Sequence, residues 1–202
     1  MISANRERDP SPVFPLGLSY LLGPLARAGH FVRLLDLCFE EDVPAAVVRA
    51  LDEARPAVVL VSIRNLDNVT WPVSRSYVDG VREVVGLCRD RAVVVLGGSG
   101  FSLEPRALLA ATGAHCGVVG EGEEVVPRLL ERIEAGIAPS GLPGVVVPGD
   151  GVPASPRGPA SIGVPNRELF DVSRYLTEGG AANVQTKRGC PFACVYCTYP
   201  VL

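Results

Sequence analysis

Ala57-Val-Val-Leu-Val-Ser-Ile63, the stretch Val73–Asp90, and Ala92-Val-Val-Val-Leu-Gly-Gly-Ser-Gly100 together decide the fold. The two apolar runs are short, rich in branched residues and lack polar alternation, the pattern of strands covered on both faces. Between them Val78, Val81, Val84, Val85 and Cys88 recur on one helical face. A buried strand, a helix and a second buried strand make a right-handed parallel βαβ unit.

The alternation continues in both directions. Upstream lie a short strand Met1–Ala4, a helix Pro15–Ala28 with a Leu16, Leu18, Leu21, Leu22, Leu25 stripe, a strand Phe31–Asp36 and a helix Val43–Ala54. Downstream lie a helix Pro105–Thr112, a strand Cys116–Val119 and a helix Glu123–Ala135. The fold class is α/β with a parallel sheet over residues 1–138. Ligands of such sheets bind at the strands' carboxyl ends. The loops there are Ser3–Pro15, Asp36–Asp42, Ser62–Asn68, Gly97–Glu104 and Gly120–Glu123. Residues 139–180 read as a Pro/Gly-rich linker. It holds a small hairpin, Gly144–Val147 with Val152, around Gly149-Asp150-Gly151, and a connecting helix Asn166–Leu176. Residues 181–202 open a second domain with a strand Ala182–Thr186.

The 202 residues are 48% hydrophobic and carry a formal net charge of −3. No basic stripe is present to neutralise phosphates, so nucleic acid is not an expected partner. No apolar run approaches the ~20 residues that span a bilayer, and Met1–Asp9 lacks a signal-peptide core. The expectation is a cytoplasmic protein with a small-molecule substrate and no membrane partner. In a reducing compartment its six cysteines are thiols or metal ligands. Cys38, Cys88 and Cys116 are scattered among apolar residues, whereas Cys190, Cys194 and Cys197 have the spacing C-x3-C-x2-C. Three thiolates on a short loop satisfy three irons of a four-iron cluster and leave one open to a ligand. A structural zinc site wants four ligands, and His30, His115 and the other cysteines lie in the other half of the chain. Unligated exposed thiols are the remaining reading.

The segment Thr186-Lys-Arg-Gly-Cys-Pro-Phe-Ala-Cys-Val-Tyr-Cys-Thr-Tyr-Pro200, with Tyr196 as the aromatic of C-x3-C-x-aromatic-C, resembles the first barrel strand and cluster loop of the radical S-adenosylmethionine (SAM) superfamily. The resemblance implies a [4Fe-4S] cluster on Cys190, Cys194 and Cys197 and SAM chelating the open iron. It further implies cleavage of SAM to a 5′-deoxyadenosyl radical, and an external electron donor such as a flavodoxin or ferredoxin. It places Tyr196 near the adenine, with plain loop packing as the alternative. A complete barrel needs further βα units, so the chain is expected to be a fragment.

Four earlier stretches, Pro15-Leu-Gly-Leu-Ser-Tyr-Leu, Ala28-Gly-His-Phe-Val, Gly97-Gly-Ser-Gly-Phe-Ser and Gly120-Glu-Gly-Glu, resemble the cobalamin-binding, Rossmann-like domain of B12-dependent radical SAM enzymes. The resemblance implies cobalamin over the loops carrying Arg64, Asn65, Asn68, Gly97, Gly98, Ser99, Gly100, Gly120, Glu121 and Gly122. Gly97, Gly98 and Gly100 would remove side chains where a ligand meets the backbone, or make a tight strand–helix turn. The helix start near Pro105 would face an anion. No histidine occupies Ser3–Pro15, where a D-x-H-x-x-G cobalt ligand would stand, and His30 and His115 are expected to be structural. Arg64 is expected beside the lower cobalt face, where a guanidinium has no electron pair to donate; an Arg64–Asp67 turn salt bridge is the alternative. Glu121 either accepts from corrin amides or caps the last helix. A nicotinamide or flavin site is disfavoured because Gly97–Leu103 lacks G-x-G-x-x-G. The implied activity is radical methylation by a cobalamin-dependent methyltransferase; ring formation or contraction, which the same architecture supports, is the alternative chemistry. The alternatives are a non-catalytic cobalamin module or part of a split enzyme, and an α/β nucleotide-binding domain with a zinc loop.

Overall fold

Alternate residues of the two longest strands part to opposite faces of the sheet, and this organises the molecule. The computed structural model describes residues 1–151, 163–179, 181, 183–190, 192, 194, 195, 197 and 198. Its elements are β1 (Ile2–Ser3), α1 (Leu16–Arg27), β2 (Leu35–Asp36), α2 (Val43–Ala54), β3 (Val58–Ser62), α3 (Val78–Cys88), β4 (Val93–Gly97), α4 (Ser99–Leu103), α5 (Pro105–Thr112), β5 (Cys116–Val118), α6 (Val125–Glu134), β6 (Val145–Val146) and α7 (Val172–Gly179). The sheet order is β2-β1-β3-β4-β5-β6. All neighbours are parallel except β5 and β6.

Val59, Val61, Ile63, Val94 and Leu96 pack with α2, α3 and α5. Leu60, Val95, Cys116 and Val118 pack with Leu25 of α1 and with α6. A strand covered on both sides has no solvent face, which is why β3 and β4 read as unbroken apolar runs. Each fully buried Val or Leu contributes about 1.5–3 kcal/mol.

Several elements differ from the sequence-based expectation. The strand expected over Phe31–Asp36 contracts to Leu35–Asp36, and Phe31 is exposed. β2 is an edge strand whose one neighbour, β1, pairs only through Ile2 and Ser3, so residues further upstream have no ladder to join. The helix expected from Val73 starts at Val78. Before it, Asn68 Nδ2 donates to the Val73 carbonyl (3.2 Å), and its Oδ1 accepts from the Arg75 N–H (2.8 Å). That side chain gives the loop backbone partners outside a helix, and Asp67 bridges Ser76. Val145–Val146, expected in a local hairpin, pairs with Val118 and Gly117 and extends the main sheet; Val152 lies outside the described residues.

The connecting helix begins at Val172, not Asn166, because the Asp171 carboxylate accepts from the Arg174 N–H (3.0 Å) at its start. It docks on the sheet edge through Tyr175, 2% exposed, whose hydroxyl donates to Asp36 Oδ2 (2.6 Å). Phe14 and Phe39 meet the Tyr175 ring edge-on. Burial raises the Asp36 pKa more than this hydrogen bond lowers it. Asn183–Thr186 is not a strand, and Ala182 is outside the described residues. No strand lies alongside this segment among the described residues, and an unpaired extended chain gains no ladder hydrogen bonds. No helix among the described residues is long and apolar enough to cross a membrane.

Candidate functional site

A cavity of ≈ 1070 Å³ opens at the carboxyl ends of β3, β4 and β5. Small-molecule and cofactor pockets measure roughly 300–1,000 Å³, so this space lies at the large end of that range. Its floor comes from Ser62, Gly97 and Val118, and its roof from Asn183–Gly189 and Thr198. Arg64, Asn65, Gly98, Ser99, Gly120, Glu121 and Gly122 also line it. The sheet therefore gathers most of the sequence-predicted contacts around one space. Asn68 and Gly100 are not among the lining residues: both ends of the Asn68 amide are engaged within its own loop, and Gly100 is buried against the backbone leaving β3.

The glycines serve different purposes. At Gly98, φ is +96° and a Cβ would stand 2.5 Å from the Ile63 carbonyl oxygen; at Gly100 it would stand 3.1 Å from the Ile63 and Arg64 oxygens. The Gly100 N–H donates to Ile63 O (2.9 Å), and Ser99 Oγ donates to Arg64 O (2.9 Å). These residues let the loop after β4 lie directly on the backbone leaving β3. Gly97 differs: the nearest atom to its Cβ would be Val118 O at 3.8 Å, so it leaves free space on the floor. Gly122 makes room for Val126 and for Leu21 of α1.

Ser102 is a positioning residue that the sequence reading missed. Its hydroxyl donates to Gly98 O (3.0 Å) and accepts from the Gly120 N–H (2.9 Å), joining the loops after β4 and β5. Helix α4, inside what was expected to be a loop, presents it. Pro105 begins α5 beyond the cavity, so the helix start that borders the site belongs to α4.

Arg64 is exposed at the cavity and makes no ion pair among the described residues. Asp67 instead accepts from the Val69 N–H (2.8 Å). In the amide orientation that satisfies its neighbours, Asn65 donates to Arg64 O (3.1 Å) and accepts from Arg64 Nη1 (3.3 Å). Asn65 thus steadies the guanidinium. His115 accepts the Val94 N–H at Nδ1 (3.0 Å), and His30 lies 3.4 Å from Glu134; neither lines the cavity.

Glu121 and Glu123 meet Arg188 from the roof segment. Arg188 Nη1 lies 3.1 Å from Glu121 Oε2, its Nη2 donates to Glu123, and its guanidinium covers the Tyr20 ring at 4.8 Å. Burial opposes the Arg188 charge, but Glu123 and Glu121 outweigh it and raise its pKa. The Arg188 guanidinium approaches Glu121 Oε2 off the ideal hydrogen-bond direction, so the contact is an ion pair at the cavity wall.

Cys190, Cys194 and Cys197 are exposed on one loop, outside any disulfide. The Cys197 N–H donates to Cys194 O (3.1 Å) in a tight turn. Three soft thiols suit an iron–sulfur cluster in kind. They are not drawn together here: among the described residues no group of three or more His, Cys, Asp or Glu is placed to hold a metal ion. Tyr196 is outside the described residues. Burial pushes the thiols of Cys38 and Cys88 up to about 11 and that of Cys116 up to about 12. Such buried thiols stay protonated and unreactive at neutral pH.

The B12-binding domain family matches residues 3–130. This chain belongs to that family. The B12-binding chain is similar to the hopanoid C-3 methylase of Methylococcus capsulatus, with 32% identity over 91% of the chain and 35% of the relative. Similarity to the tryptophan 2-C-methyltransferase of Streptomyces laurentii is 28% identity over 94% of the chain and 41% of the relative. Its backbone matches the radical S-adenosylmethionine methyltransferase TsrM of Kitasatospora setae, solved with tryptophan and a SAM analogue. The TM-score is 0.84 at 29% identity, over 98% of this chain and 40% of TsrM. TsrM with cobalamin and a [4Fe-4S] cluster matches with a TM-score of 0.81. The chain spans well under half the length of these relatives. The mostly parallel six-stranded sheet is that of the B12-binding region of TsrM, and family membership supports cobalamin binding.

Proposed function

We propose that this chain is the cobalamin-holding portion of a cobalamin-dependent radical SAM methyltransferase acting on a small molecule. The observation that carries the reading is the cavity itself. It sits on the carboxyl edge of a B12-binding sheet and is roofed by the segment that runs into C-x3-C-x2-C. Gly97 leaves the floor open; the Glu121 carboxylate, paired with Arg188, would also accept from corrin amides, and Arg64, steadied by Asn65, would stand beside the lower corrin face. A guanidinium there has no lone pair for cobalt. Cys190, Cys194 and Cys197 would hold three irons of a [4Fe-4S] cluster, with SAM on the fourth and Tyr196 near its adenine. When bound, cobalamin supplies a methyl carrier, and the reduced cluster with SAM supplies radical chemistry. Electrons would come from a flavodoxin or ferredoxin.

A second reading is a cobalamin module without catalysis of its own; the family match over residues 3–130, which does not include Cys190, Cys194 and Cys197, favours it. Anaerobic reconstitution with iron and sulfide plus cobalamin titration separates the two. Cobalamin uptake with a cluster that cleaves SAM supports the enzyme; uptake without cleavage supports the module. Zinc content without cobalamin absorption sinks both. In a chain that binds cobalamin, Arg64→Ala is expected to change the affinity or the absorption spectrum; no change in either removes Arg64 from the site.

A further inference from the structure

The described residues of segment 183–198 run beside the cavity with almost nothing apolar to hold them. Val184 is 78% exposed, Phe192 69% and Val195 103%. Among its described residues only Gln185 and Arg188 are sheltered. The Arg188 side chain is 14% exposed and meets two carboxylates from the β5–α6 loop, Glu121 and Glu123, and Tyr20 of α1, itself 6% exposed. Gln185 Oε1 accepts from Arg188 Nε (3.4 Å). A planar guanidinium can address two carboxylates and an aromatic face together, which an ammonium cannot. The cluster is also partly dry, where such pairs outweigh their exposed counterparts. Gly189, with φ +74°, turns the chain directly after it toward Cys190.

We propose that Arg188 is a positioning residue: by joining Glu121, Glu123 and Tyr20 it clamps the cysteine loop onto the cavity rim. It thereby sets the separation between the cavity's cofactor and the metal held by the cysteines. The role of the clamp rests on the reading under Proposed function; the clamp itself does not. Glu121 belongs to both cavity wall and clamp, so one carboxylate links the two halves.

Two measurements on the full chain test it. The first needs no cofactor: chymotrypsin cleavage after Phe192 reports release of the segment. Arg188→Ala is expected to speed that cut on the order of tenfold, with the sheet's thermal unfolding unchanged. Glu121→Gln combined with Glu123→Gln should do the same, and Arg188→Lys should recover only part of the loss. Equal cleavage rates overturn the clamp. The second reads electron paramagnetic resonance of chain loaded with cobalamin and a reconstituted cluster. Spin coupling between cob(II)alamin and the reduced cluster is expected to weaken in Arg188→Ala at unchanged cofactor content. Unchanged coupling in a doubly loaded chain overturns the positioning role alone. A wild-type chain that takes up neither cofactor overturns the functional reading and this role with it, even if Arg188→Ala is cut faster.

Discussion

Leu60 and Val95 lie between the sheet and its helices, whereas Val184 and Phe192, no less apolar, stand in solvent. The first pair belongs to a region held by area removed from water, spread over many side chains and both faces of β3 and β4. The second belongs to the described residues of 163–198, whose contacts with the rest of the chain are few and largely polar: Tyr175 on Asp36, backed by Phe14 and Phe170, the Asn166 N–H on Ser19 O, Glu178 with Arg8, and Arg188 on Glu121 and Glu123. The difference teaches how the site is built. A distributed core fixes the cavity floor, while a few localised, largely polar contacts place its roof, and removing one of these is expected to leave the sheet folded.

The largest expected effect tests the floor. Leu96→Ala empties a fully buried position and should cost about 3 kcal/mol, read as a lower urea midpoint at unchanged slope. A change confined to the roof segment would break the comparison. Gly98→Ala comes next, at about 2 kcal/mol, from a φ of +96° and the approach to Ile63 O. Wild-type stability in that variant would mean that the loops after β3 and β4 are not held together as described.

Tyr175→Phe should cost about 1 kcal/mol, seen as faster amide exchange in α7 while the central strands keep their protection. Uniform loss across the chain would merge the two regions. Asp36 adds a pH dependence of known sign. Its pKa is raised above the ordinary 3.8 by burial, against the opposing Tyr175 hydrogen bond. Its contribution is therefore fully present below 3.8 and lost as pH rises through the raised folded value. Wild type should lose stability relative to Asp36→Asn over that rise; parallel pH curves would remove Asp36 from the anchor. The smallest effect belongs to Trp71, 93% exposed: Trp71→Ser should shift stability by no more than about 0.5 kcal/mol. A larger loss would reveal packing on that loop.

Much of the fold was legible because β3, β4 and their helices carry signals a single chain can show: apolar runs, a helical stripe, and Pro/Gly punctuation. Val43–Ala54 and Pro105–Thr112 have the bounds read from sequence. Misread elements were those decided by a neighbour. Phe31–Asp36 has strand composition but only a short ladder to join. Val145–Val146 found β5, far away in sequence. The site followed the same division: loop positions could be read from strand ends, but the hydroxyl of Ser102 gained its role only when Gly98 and Gly120 came within reach.

By itself the sequence determined the alternating α/β order, the edge where the cavity lies and the Cys190, Cys194, Cys197 spacing, because periodicity and spacing are local properties. Tertiary structure decided which glycines answer to a crossing backbone and which leave room, and that Arg188 joins Glu123 across 65 positions of sequence. Such pairings depend on distances that exist only once the sheet has brought remote loops to one edge.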